Sequence, residues 1–89
     1  MKRFHTIISG NVTGVFFRSF VKYHAIRLKL NGFVKNESGK VEAVFEGKEE
    51  NIKRMIELCK KGPEGSKATD LKINEQHFKN EFKDFEVIY

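Results

Sequence analysis

Gly10-Asn11-Val12-Thr13-Gly14-Val15-Phe16-Phe17-Arg18 separates two kinds of pattern. Before it lies an apolar, strand-like run, residues 4–8. After it, Phe17, Phe20, Val21, His24, Ala25 and Leu28 recur at helical spacing. The stretch is therefore a strand-to-helix turn. Glycine takes positive φ without steric cost, so a turn with Gly10 and Gly14 can curl its N–H groups inward as an anion-binding nest. The start of the following helix adds free N–H groups and the positive end of its dipole. Arg18 falls in that first turn, where a cation gains nothing from the dipole. It is well placed to close a fork over a phosphate or carboxylate. Glycine spacing alone favours an ordinary turn followed by a solvated arginine; the placement of Arg18 narrows the difference.

Outward from this stretch, residues 2–9 read as the first strand, with Phe4, Ile7 and Ile8 as its apolar side chains and no clear core face. Asn31-Gly32 is the expected stop of the first helix. Residues 32–36 form a second strand, Asn36-Glu37-Ser38-Gly39 a turn, and residues 41–46 a third strand. The faces of that third strand are Val41/Ala43/Phe45 and Glu42/Val44/Glu46. Gly47 breaks it, and residues 48–61 make a second helix with Ile52, Met55, Ile56 and Cys59 on one stripe. Gly62-Pro63 ends that helix. A loop at 64–67, a fourth strand at 68–76, a loop at 77–83 and a short terminal strand at 85–89 complete the chain. The order is β-α-β, then β-α-β, with an extra short strand. It predicts an α+β, ferredoxin-like split βαβ sandwich (βαββαβ) with two helices on one face of a mainly antiparallel sheet.

At 89 residues, a single domain over 1–89 is expected. One Pro and no Ser/Gly-rich tract argue against linkers and disorder. The net charge of +5 suits an anionic partner, either a phosphate-bearing small molecule or a nucleic acid. Cys59 is alone, so no intrachain disulfide is possible and a reducing compartment is expected. No run is long enough to span a membrane and no signal-peptide pattern is present, so the expected location is cytoplasmic.

His5, His24 and His77 have no metal-ligand spacing, and Cys59 has no nearby partner, so neither a metal nor a cofactor is expected. His24 reads as a packed histidine at the core edge and Cys59 as a buried small hydrophobe. Nucleophile-elbow, Walker and Cys-His patterns are absent. Asn36 remains. In a split βαβ fold the end of its strand approaches the first strand-to-helix junction, where a carboxamide could hold a water for in-line attack on a phosphoryl group. Taken alone, Asn36 reads as the opener of the hairpin turn.

The combination of motifs is more specific. Gly10-x-Val12-x-Gly14-Val15-x-Phe17-Arg18, with Ala25, then Leu30-x-Gly32-Phe33-Val34-Lys35-Asn36, closely resembles the acylphosphatases. Gly39-x-Val41-Glu42, Glu46-Gly47, Gly62-Pro63 and Phe85-x-Val87 agree, so the resemblance runs over the whole chain. Thr13 stands where that family usually has Gln, and Phe33 where it usually has Trp. The resemblance implies a small free-standing hydrolase that cleaves acyl phosphates to a carboxylate and inorganic phosphate. It implies that Arg18 binds the substrate phosphate, that the N–H groups of Asn11, Val12, Thr13, Gly14 and Val15 cradle it, and that Asn36 orients the attacking water. Inorganic phosphate or sulfate is the expected competing anion, and the expected state is a monomer. Two other classes share the topology. An RNA-binding module would stack bases on the open face of the sheet, which carries Glu42 and Glu46 if Phe45 faces the helices. A small-ligand-binding module would bind without catalysis.

Overall fold

The computed structural model describes residues 1–13 and 16–89. The elements are β1 (Lys2–Asn11), α1 (Phe17–Arg27), β2 (Asn31–Glu37), β3 (Lys40–Gly47), α2 (Glu49–Lys61), β4 (Lys67–Gln76) and β5 (Phe85–Ile88). They form one sheet in the order β4-β1-β3-β2-β5. Every pairing is antiparallel except β2 with β5, which run parallel. The two βαβ units are split as predicted, because β3 lies between β1 and β2.

The register assigns the faces. Phe4, Thr6 and Ile8 of β1 oppose Phe45, Ala43 and Val41 of β3, and Gly32, Val34 and Asn36 of β2 oppose the same three from the other side. Opposed residues share a face, and on it Phe4, Ile8, Val34, Val41, Ala43 and Phe45 pack with Phe17, Val21 and Ala25 of α1 and Ile52, Met55, Ile56 and Cys59 of α2, whereas Asn36 near the end of β2 is exposed. This explains why β1 shows no clean alternation. Thr6 is a buried polar residue on the core side, satisfied by donating to the Ala43 carbonyl at 3.1 Å. Ile7 is an apolar residue on the other side, opposite Glu42.

Most boundaries shift by a residue or two, and two of the differences have a clear local reason. α1 ends at Arg27, before Asn31-Gly32. The Leu30 N–H reaches the Ala25 carbonyl and the Lys29 N–H the Ile26 carbonyl, with Lys29 left-handed at φ 57. That is a Schellman stop with lysine in the usual glycine place, followed by Leu30, which drops into the core. The hairpin turn is also later than expected. Glu37 still pairs with Lys40, so the loop is Ser38-Gly39 alone, both with positive φ, as a twist-compatible two-residue hairpin requires. Asn36 is therefore inside β2 and does not open the turn.

The face away from the helices is partly covered by the segment 77–84. Phe82 packs edge-on against Phe33 at 5.9 Å, and Arg3 lies 5.2 Å over the Phe82 ring. Arg3 also pairs with Glu46 and Glu81 and donates to Gln76. Glu46, 3% exposed, accepts the backbone N–H groups of Lys79 and Asn80. The segment expected only as a polar loop is thus a strap across the sheet.

Candidate active site

β1 delivers the chain to the first strand-to-helix junction with a bulge between Ser9 and Gly10. Gly10 has φ 125, and a Cβ there would meet the Lys67 carbonyl oxygen at 2.2 Å. Its glycine is required by close approach to β4. Asn11 is the last residue of β1, and its carboxamide donates to the Gly65 carbonyl at 3.3 Å. Val12 and Phe17 are both buried and pin the two ends of the connection into the core. Gly14 and Val15, expected as part of the cradle, lie outside the described residues.

α1 begins with no side-chain cap and no acidic residue in its first turn. The N–H groups of Phe17, Arg18 and Ser19 precede the first intrahelical donor, Phe20, which bonds the Phe16 carbonyl. Those three residues line a cavity of about 360 Å³ together with Val12, Phe16, Asn36 and Tyr89. The positive end of the helix dipole therefore opens into a concave site whose one charged side chain, among the described residues, is the Arg18 guanidinium. Arg18 is partly buried, and its Cζ lies 4.9 Å from the centre of the Tyr89 ring. A guanidinium stacked on an aromatic face is held in place without losing its outward N–H donors.

Asn36 reaches the cavity from β2. It opposes Val41 on the core-facing side of the sheet, at the level where the helices no longer cover it, and it is exposed. The structure brings together Val12, Arg18 and Asn36; Asn11 and Thr13 are not among the described lining residues. Phe33 projects to the opposite face of the sheet, so its departure from the family pattern does not touch the cavity. Four lining residues were not read from the sequence as site residues: Phe16, Phe17, Ser19 and Tyr89. Tyr89 had a signal in the spacing Phe85, Val87, Tyr89, which places it on the same side of β5 as the two packed residues.

Other reactive side chains lie elsewhere. Cys59 is buried in α2, and burial pushes its thiol pKa up to about 12. His24 is half-buried and edge-on to Phe20 at 4.5 Å, a packing role as expected. Among the described residues, no three His, Cys, Asp or Glu side chains are grouped so that they could hold a metal ion. No helix among them is long and apolar enough to cross a membrane.

Fold and cavity place the chain among small split βαβ proteins whose polar site lies at the first strand-to-helix junction. A family model described as acylphosphatase matches residues 4–87. The chain is 40% identical over 90 residues to an acylphosphatase of Syntrophus aciditrophicus, covering 100% of this chain and 94% of the relative. It is 42% identical over 89 residues to an acylphosphatase of Syntrophobacter fumaroxidans, covering 99% and 92%. The crystal structure of acylphosphatase from Bacillus subtilis matches with a TM-score of 0.96 and 37% identity over 100% of both chains. The chain belongs to the acylphosphatase family, and its activity is of the acyl phosphate hydrolase class.

Proposed function

We propose that the chain hydrolyses the carboxyl–phosphate anhydride without metal or cofactor, holding the phosphoryl group at the start of α1 with Arg18 and orienting water with Asn36. The observation that carries this reading is the convergence on one cavity of an uncapped helix N-terminus, the Arg18 guanidinium and the Asn36 carboxamide. Backbone N–H groups of the connection 11–15 complete the cradle. Water oxygen attacks phosphorus, the bond from phosphorus to the acyl oxygen breaks, and the carboxylate leaves with the bonding electrons. The proton from water passes to a phosphate oxygen, because a neutral carboxamide is a poor base. A carboxylate is a good leaving group, so strong acid catalysis is dispensable. Positioned donors that meet the charge spreading over the phosphoryl oxygens are what the step needs.

An RNA-binding reading is weakened by the open face. Phe45 faces the helices, and the other side carries Glu42 and Glu46, with Phe33 packed against Phe82 of the strap. The deciding experiment is hydrolysis of acetyl phosphate by the wild type and by Arg18→Ala, with circular dichroism on both. Turnover should fall by at least about 10²-fold in the variant, and inorganic phosphate should no longer inhibit it. The fold should persist, because a cation in the first turn of α1 adds nothing to the helix. Wild-type turnover that survives in Arg18→Ala would defeat the assignment; an unfolded variant would make Arg18 a structural residue.

A further inference from the structure

The turn between α2 and β4, residues 62–66, contributes none of the described lining of the cavity, yet it braces both ends of the connection that leads into it. At the strand end, the Asn11 carboxamide donates to the Gly65 carbonyl at 3.3 Å, and the Asn11 backbone pairs with Lys67. At the helix end, Gly62 comes so close to Phe17 that a Cβ on it would lie 2.9 Å from the ring. Gly62 has φ 65 and donates its N–H to the Leu58 carbonyl at 2.7 Å, so α2 stops on the residue that abuts the start of α1. The turn also has an internal brace. The Ser66 hydroxyl donates to the Pro63 carbonyl at 2.6 Å, and the Ser66 N–H reaches the same oxygen at 3.1 Å. The Gly65 carbonyl is therefore presented to Asn11 by a turn that is itself held.

Nothing else in the structure calls for asparagine at position 11. Asn is depleted in strands, the β1 ladder uses only its backbone, and its side chain is exposed. Burial of Val12 and Phe17 keeps the connection from lifting off the core, but burial is non-directional. A cradle made of backbone N–H groups needs direction, because a peptide that turns away from the anion weakens its hydrogen bond steeply. We infer that Asn11 is a positioning residue, whose carboxamide clamps the end of β1 to the α2–β4 turn and so fixes where the N–H groups of the connection point. This rests on the hydrolase reading above. It adds to that reading a side chain, and an element outside the cavity, that set phosphate affinity.

The test measures inorganic phosphate binding by titration calorimetry in the wild type, Asn11→Leu and Asn11→Gln, beside kcat and KM for acetyl phosphate and the melting temperature. Leucine keeps the bulk and removes the donor, whereas glutamine keeps the donor on a longer arm. Losing one hydrogen bond of this kind shifts an equilibrium by about two- to tenfold. Asn11→Leu should raise the Kd for phosphate by that factor and KM by the same factor. Its kcat should stay within about twofold of the wild type, because the cradle holds the phosphoryl group in the ground state as well as in the transition state. Asn11→Gln should recover most of the loss. Both melting temperatures should lie near that of the wild type, since Asn11 is exposed. A wild-type Kd in Asn11→Leu would overturn the inference and leave the hydrolase reading standing, and a lowered melting temperature beside that Kd would make the bond purely structural. Equal weakening in the two variants would also overturn it, because the cause would then be side-chain shape and not the donor. A wild type that neither binds phosphate nor hydrolyses acetyl phosphate would overturn the hydrolase reading first, and the role of Asn11 with it.

Discussion

The Asn36 carboxamide offers two donors and one acceptor at the core-facing end of β2, beside the cavity that Arg18 enters. The hairpin turn makes no demand on it, because Ser38 and Gly39 form that turn by themselves. Asn36→Ala should therefore lower kcat by about 10²–10³, or about 2.7–4 kcal/mol, with phosphate inhibition near the wild-type value. Asn36→Asp separates the two roles. A turn residue would tolerate Asp, whereas a carboxylate beside a bound phosphate repels the substrate anion and should impair both binding and turnover. Steady-state kinetics and melting temperatures of the pair decide it, and near-normal turnover in both would remove Asn36 from the mechanism. Much of the site was legible at this scale because Arg18 and Asn36 sit in spaced motifs. Phe16 was not, because an exposed aromatic in a left-handed backbone has no signature in residue order, and the spacing Phe85, Val87, Tyr89 gives the side of the sheet for Tyr89 but not the guanidinium over its ring.

Among the elements, the central strands hold two ion-pair clusters that the alternation pattern marked only as charged positions. On the open face His5 Nε2 lies 2.7 Å from Glu42, and Lys35 lies 3.4 Å from it. The hydrogen bond from His5, with the Lys35 charge behind it, holds the Glu42 carboxyl below its ordinary value of 4.5. A depressed carboxyl pKa means that the stabilisation is present above the ordinary value and is lost as pH falls through the folded one. Glu42→Gln should therefore be less stable than the wild type at pH 7, with the gap narrowing at an acid pH below 4.5 as the wild-type carboxylate is protonated. Urea midpoints at the two pH values measure this; a gap that persists unchanged in acid would show that packing, and not charge, is lost. The strap supplies a second test. Glu46 is buried, pairs with Arg3 and accepts two backbone N–H groups of 77–84. Glu46→Ala should cost about 1–3 kcal/mol, because it removes the acceptor of two backbone N–H groups and one partner of Arg3, which keeps Glu81 and Gln76. Glu46→Gln, which can still accept, should cost less; equal losses for the two would place the cost in packing. Sequence reasoning missed this strap because it is held by tertiary contacts rather than by a periodic pattern. The same reason explains the end of α1, where the drop of Leu30 into the core outweighs the usual preference for glycine at the stop.

For the whole molecule, the site and the core report on each other through Cys59. The thiol is 1% exposed, in the stripe of α2 that packs on the sheet, and its pKa near 12 leaves it protonated and unreactive in the native state. A thiol reagent can reach it only when α2 leaves the sheet. On the proposed function, phosphate bound at the start of α1 would stabilise whichever states keep the cavity intact. If α2 separates only when the whole domain unfolds, phosphate at 100 times its Kd should slow labelling of Cys59 about 100-fold, which is about 2.7 kcal/mol, and raise the melting temperature in step. If α2 opens by itself while β1, α1 and β2 stay folded, phosphate should inhibit hydrolysis and raise the melting temperature but leave the labelling rate unchanged. Both helices bury their stripes in one continuous cluster with the sheet, so among the described residues α2 has no second core to leave behind. Coupled protection is therefore the expected result. Arg18→Ala is its control, since that variant should lose the phosphate effect on labelling while its rate without phosphate stays near that of the wild type.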